Sequence, residues 1–179
     1  MKSESGTKKI TRVIKTTRVI KTDHLEVSNI LNEEDAKVLY TSYRLGKLPW
    51  KAKEGLSPQE FISVMDEFIR DNYELNWSVR VNGKTLFVLF GKDLHKFIFL
   101  GDAVWWPKTS NRKKVESVSA VLNDIRKTHV AFLESNYKDK RFYEFMSDHG
   151  ILRRVGSIYD TEERGSRTAL FQTRPLWEN

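Results

Sequence analysis

Apolar positions along the chain switch repeatedly between helical and strand spacing, which is enough to lay out an element order. Asn32 precedes Glu33, Glu34 and Asp35, a capping residue followed by acids suited to the positive end of a helix. Val38, Leu39, Tyr40 and Tyr43 follow at helical spacing, and Gly46 is the predicted stop. Ser57-Pro58-Gln59-Glu60 is a capping box with proline at the first helical position. Phe61, Val64, Met65, Phe68 and Ile69 then predict one apolar helical stripe. In the middle of the chain, Trp77 to Val81 and Lys84 to Phe90 flank Asn82-Gly83, the signal of a two-residue hairpin, with Gly91 as the predicted end. Lys96 to Leu100 and Ala103 to Trp106 predict one interrupted strand or two short ones, broken at Gly101-Asp102. Such consecutive apolar positions suit strands covered on both faces.

After Pro107 the helical period returns. Ser110 or Asn111 is the cap, and Val115, Val118, Val121, Leu122 and Ile125 form a stripe. Val130 to Leu133 predicts a short buried strand, and a helix from about Lys138 to His149 is expected to pack Phe142, Phe145 and Met146 before Gly150. Ile151 to Tyr159 and Thr168 to Thr173 close the chain as strands around a polar connection. A helix leading from strand to strand around residues 107–130 implies a parallel crossover, while the hairpins imply antiparallel pairing. The expected class is α/β (α+β): a mixed, mostly antiparallel sheet of about six to seven strands with helices on both faces.

Charge changes the picture at the N-terminus. Seven of the 31 basic residues but only one of the 24 acidic ones lie in residues 1–22, so this stretch carries +6 of the net +7. Lys8, Lys9, Arg12, Lys15, Arg18 and Lys21 fall in it, as do two successive copies of Thr-Arg-Val-Ile-Lys-Thr, at Thr11–Thr16 and Thr17–Thr22. The β-branched content suits a strand, and the charge suits an arm gripping nucleic acid or a protein partner. We therefore divide the chain into residues 1–22, a basic arm or first strand, and one domain over residues 23–179. Trp50, in the basic and aromatic loop Lys47 to Lys53, is a second contact candidate, because tryptophan is enriched at binding hot spots. The alternative is that it covers the edge of the core.

Composition narrows the chemistry. With 39% hydrophobic and 31% charged residues the chain reads as a soluble globular protein, cytoplasmic or enclosed in a particle. Its first ten residues offer no apolar core for a secretory signal, and no apolar run approaches the roughly 20 residues a bilayer requires. There is no cysteine, which excludes disulfides and thiolate chemistry, and the four histidines show no metal-ligand spacing.

Two segments carry a family resemblance. Val104 to Val115 (VWWPKTSNRKKV) runs from a strand through a proline into a helix, and Asn136 to Gly150 runs from an asparagine through a helix to a glycine. With the element order, over roughly residues 20–175, this resembles the GNAT fold of GCN5-related N-acetyltransferases. The resemblance implies coenzyme A binding by Asn111, Arg112, Lys113, Lys114 and Asn136. It also implies that Tyr143 protonates the departing thiolate; Glu134 and Asp102, near strand ends facing the expected cleft, are the candidate bases. The family's glycine-rich loop between strand and helix is missing: no glycine occurs from Pro107 to the end of the helix. Backbone N–H groups at a helix start cradle pyrophosphate best when no side chain intervenes, and Lys114 or Val115 is expected to fill that place. The same degenerate pattern resembles small GNAT-like proteins of short-tailed bacteriophages. The leading expectation is therefore a non-catalytic structural or accessory protein, of the kind associated with a phage virion. It would need no cofactor and would bind capsid or tail subunits through its arm and Trp50. The alternative is an acetyl-coenzyme A-dependent N-acetyltransferase, and a third reading is sequence-nonspecific DNA binding through the arm.

Overall fold

The computed structural model describes residues 19–22, 25–135, 140–159 and 167–178. Eight strands form one sheet: β1 (Val19–Thr22), β2 (Leu25–Ser28), β3 (Leu75–Val81), β4 (Lys84–Asp93), β5 (Phe97–Trp105), β6 (Val130–Ser135), β7 (Leu152–Tyr159) and β8 (Arg167–Thr173). Their order across the sheet is β1-β2-β3-β4-β5-β6-β8-β7. Among the described strands only β5 and β6 run parallel, joined by the crossover helix that the sequence predicts; every other pair is antiparallel. The mixed α/β architecture is as expected, with one strand more than counted. That strand is β2, whose four residues are too few to stand apart from the arm. Four of the twelve repeat residues are placed: Val19–Thr22 of the second copy is β1, at the sheet edge. Lys8, Lys9, Arg12, Lys15 and Arg18 lie outside the described residues.

Helices α1 (Glu33–Arg44), α2 (Pro58–Asn72), α3 (Asn111–Ile125) and α4 (Lys140–Asp148) cover both faces. Alternation along β4 sends Phe87 and Leu89 into one core, with Val118, Val121 and Leu122 of α3 and Met146 of α4. Val88 and Phe90 go into the other, with Val38 and Leu39 of α1 and Phe61 and Met65 of α2. The helix starts follow the sequence: Asn32 and Ser57 both close capping boxes, and Ser110 rather than Asn111 caps α3. The hairpin Asn82-Gly83 takes the positive φ pair of +51° and +74° that its turn requires.

Three expectations are corrected. Val64 is 43% exposed on α2 and Phe145 is 42% exposed on α4, where it lies against the His149 ring. In each helix the stripe is narrower than its apolar residues suggest. Gly91 does not end β4, which continues to Asp93. Its glycine has a different cause: a Cβ there would stand 3.0 Å from the Phe99 carbonyl oxygen and 3.2 Å from the Trp77 ring. The carbonyl belongs to the neighbouring strand and has little room to retreat. Gly91→Ala is expected to lower unfolding free energy by about 1–3 kcal/mol, read as a drop in urea midpoint at unchanged m-value.

One buried polar network fixes α1 against the sheet. Asp35, fully buried, accepts from the Asn32 N–H at 2.7 Å, from Thr85 Oγ1 at 2.6 Å and from the Arg80 guanidinium. Arg80 also reaches Glu26 at 3.2 Å and the Ile30 carbonyl at 2.8 Å. A single carboxylate thus links the start of α1 to β3 and β4, and Arg80 extends the link to β2.

Candidate active site

The geometry that sets a site begins where β5 and β6 part. Their parallel pairing runs from Phe97↔Val130 to Leu100↔Leu133 and stops, although both strands continue. Immediately past that point β5 bulges. Its register with β4 passes from Gly91↔Leu100 to Leu89↔Ala103, so Gly101 and Asp102 together oppose Phe90. The bulge shifts the side-chain phase by one. Ile98 and Leu100 before it, and Ala103 and Trp105 after it, all face the α3 side, which sends Asp102 to the α1/α2 side along with Val104.

Backbone polarity follows from the same register. The Trp106 N–H donates to the Leu86 carbonyl at 2.7 Å, so alternation of the antiparallel ladder turns the N–H and C=O of Ala103 and Trp105 away from β4. They face the gap between β5 and β6. The Trp105 carbonyl there accepts from Ser42 Oγ of α1 at 3.2 Å.

Two carboxylates flank the gap on one face of the sheet. Asp102 stands on β5 two residues past the divergence, and Glu134 on β6 one residue past it. Ala131 and Leu133 turn into the α3 core, so alternation puts Glu134 on the α1/α2 side, where it is exposed. Both residues named as candidate bases therefore lie at the mouth of the same opening. Asp102 accepts a hydrogen bond from the hydroxyl of Tyr73, at the C-terminal cap of α2. Burial, and then the Asp102 carboxylate itself, push the Tyr73 hydroxyl well above its ordinary pKa. Tyr73 was missed at the sequence level, since nothing in a helix-ending tyrosine points to a strand 29 residues later.

The start of α3 lies just beyond β5. Ser110 to Lys113 are exposed, Ser110 Oγ accepts from the Lys113 N–H, and the Lys114 N–H goes to the Ser110 carbonyl. The N–H groups of Asn111 and Arg112, in the first turn, have no intrahelical acceptor. Arg112 pairs with Glu116 at 2.9 Å along the helix, Lys114 lies over the Trp105 ring at 5.4 Å from its centre, and Val115 packs against the core. Lys114 and Val115, the residues expected to fill the anion position, are thus placed against Trp105 and the core. Trp105 itself stacks on Phe87 at 4.3 Å, and Trp106 is 38% exposed.

On the α3/α4 face, Tyr143 stacks on Phe171 of β8 with ring centres 5.3 Å apart. Phe171 pairs with Leu133 of β6, so Tyr143 lies on the face of the sheet opposite Asp102 and Glu134. Asn136 lies outside the described residues, and Lys21 is placed in β1 by its backbone, opposite Glu26. Trp50 stacks on Phe68 at 5.0 Å and meets Phe90 edge-on at 5.9 Å; it covers the edge of the α1/α2 core. It also lines a cavity of about 430 Å³ with Tyr43, Leu48 and Leu56, between the end of α1 and the start of α2. Among the described residues no group of three or more potential metal ligands occurs, and no helix is long and apolar enough to cross a membrane.

No protein-family model matches the sequence, and no curated protein does. Solved structures do match. A probable GNAT-family acetyltransferase from Chromobacterium violaceum superposes with a TM-score of 0.65 at 13% identity, over 90% of this chain and 93% of that one. A spermidine N-acetyltransferase chimera built from Vibrio cholerae and human-type sequences gives 0.60 at 13%, over 84% and 95%. The ribosomal-protein-S18-alanine N-acetyltransferase of Escherichia coli gives 0.55 at 12%, over 83% and 92%. The chain therefore has the fold of the GNAT acetyltransferases.

Proposed function

We propose that the protein transfers an acetyl group from acetyl-coenzyme A to an amine. The observation that carries this reading is the parting of β5 and β6 beyond Leu100 and Leu133, with the Ala103 N–H turned into the gap. That donor is fixed by the ladder with β4, and a preorganised donor aimed at a developing oxyanion is the largest electrostatic term in acyl transfer. Acetyl-coenzyme A supplies a thioester whose carbonyl oxygen is a partner for it. The open N–H groups of Asn111 and Arg112, with the charges of Arg112 and Lys113, fit a pyrophosphate. Asp102 and Glu134 take the proton from the attacking nitrogen, and Tyr143 gives one to the leaving sulfur from the opposite face. A nitrogen–carbon bond forms as the carbon–sulfur bond breaks. An amine acceptor agrees with neighbours that act on an N-terminal alanine and on spermidine.

Titrating acetyl-coenzyme A into the full chain tests this. Saturable binding is expected in the range of ordinary KM values, on the order of 1 μM to 1 mM, weakening as salt rises and weakening further in a double variant Arg112→Glu, Lys113→Glu. Absence of binding at about 1 mM overturns the reading.

One observation favours the second reading, a non-catalytic accessory protein that binds neighbouring subunits. The anion position has no glycine, and Lys114 is occupied on Trp105 instead of being free for phosphate. On that reading the same titration gives no heat, and the basic residues 1–22 and Trp50 carry the binding of other subunits, such as those of a virion.

A further inference from the structure

Asp102 is held in a way that its neighbours on β5 do not require. A residue displaced by a bulge normally loses its ladder partners, and its side chain samples several rotamers unless something fixes it. Here Tyr73 fixes it. The tyrosine caps α2 in extended backbone and lays its ring against Phe90, with centres 5.2 Å apart, and edge-on to Phe68 at 6.1 Å. Room for the ring comes from Gly101, where a Cβ would stand 3.3 Å from Tyr73 Cε1. A tyrosine at the end of a helix and a glycine in a strand thus form one device, which brings a hydroxyl to Asp102 Oδ2. Asp102 Oδ1 accepts no hydrogen bond among the described residues.

We propose that Tyr73 is a positioning residue for Asp102, occupying one carboxylate oxygen so that the other is presented to the ammonium or amine of the acceptor at the mouth of the β5–β6 gap. This rests on the acetyltransfer reading and adds the residue pair that receives the acceptor. The geometry supports it in three ways. The hydroxyl donates, so one carboxylate oxygen is occupied as its acceptor. The clamp comes from the α1/α2 side, away from the open strand ends. The Tyr73 hydroxyl is pushed up in pKa by burial and by Asp102, which favours its protonated, donating form. Of the charged groups on the elements around it, Glu134 of β6 lies across the gap on the same face. Arg70 and Asp71 of α2 are exposed near the end of the helix that carries Tyr73.

The test is a double-mutant cycle on the full chain loaded with acetyl-coenzyme A, using n-butylamine as the acceptor probe and following thiol release and butylammonium binding. Tyr73→Phe is expected to raise the butylamine KM about tenfold, the effect of losing one hydrogen bond to a charged group, with acetyl-coenzyme A affinity unchanged. Asp102→Asn is expected to raise KM at least as much, and adding Tyr73→Phe to it is expected to cost nothing further. A structural role for Tyr73 would instead lower the affinity in both backgrounds, and equal losses in both overturn the proposal. So does a chain that binds acetyl-coenzyme A but shows no saturable interaction with butylammonium. Failure to bind acetyl-coenzyme A at all is the distinct result that removes the acetyltransfer reading itself.

Discussion

Asp35→Ala is expected to destabilise the protein by about 3–5 kcal/mol, the cost of leaving one half of a buried ion pair without its partner. The carboxylate has no exposure and three donors converge on it: the Asn32 N–H, Thr85 Oγ1 and the Arg80 guanidinium. Removing it strands the Arg80 head group, whose side chain is only 7% exposed and whose Nε already lacks a partner. Glu26, at 3.2 Å and itself 30% exposed, is too solvated to replace a buried charge. The N-terminal box of α1 also loses its reciprocal half. Against a total stability of about 5–15 kcal/mol for an ordinary domain, this is enough to lower the melting temperature by roughly 10 °C. Urea unfolding followed by tryptophan fluorescence reads it directly. A second variant separates charge from packing: Asp35→Leu combined with Arg80→Met removes both charges and is expected to recover part of the loss. An Asp35→Ala protein as stable as the parent would mean that α1 is held by Val38 and Leu39 alone.

The same residue shows where the sequence was legible. Asp35 could be read as an acid in the first turn of α1, which is a local fact. Its contact with Arg80 and Thr85, 45 and 50 positions later, depends on which face of the sheet α1 covers, and no local pattern states that. Caps, the Asn82-Gly83 turn and the parallel crossover are short-range devices, so the element order could be read with one strand missed. Val64 and Phe145 were misplaced because apolar spacing marks a face without giving its width. The opening between β5 and β6 was anticipated only through a break at Gly101-Asp102. A bulge moves a carboxylate from one side of a sheet to the other without altering composition, so its consequence for Asp102 had to be seen.

The absent glycines raise a related point. Glycine matters at an anion site by leaving backbone N–H groups uncovered, and the sequence reveals only the side chains. Arg112, Lys114 and Val115 each turn elsewhere, to Glu116, to Trp105 and to the core. On the acetyltransfer reading, the first turn of α3 is left open by side-chain placement where a glycine loop relies on side-chain absence. Positive charge on Arg112 and Lys113 then adds attraction that a glycine loop lacks. Binding through such a turn depends more on salt than binding through a bare backbone, and that dependence distinguishes the two designs.

Tyr143→Phe is expected to lower kcat by about a hundredfold, the lower end of what a positioned general acid contributes, while leaving acetyl-coenzyme A affinity close to that of the parent. The separation is possible because the packing belongs to the ring. Stacking on Phe171 at 5.3 Å and the edge contact with Phe142 at 5.4 Å survive the loss of a hydroxyl. What is lost is a proton source on the α3/α4 side of the gap, opposite Asp102 and Glu134. A leaving thiolate needs less help than an alkoxide, which places the effect at the low end of the range. Glu134→Gln gives the complementary result. If Glu134 is the base, kcat falls and the remaining activity rises with the free-base fraction of the amine, because a neutral amine needs no proton removed before attack. In Tyr143→Phe that dependence stays as in the parent, since the defect lies after attack. A Tyr143→Phe enzyme with undiminished kcat would assign α4 a packing role only and leave the sulfur to take its proton from water.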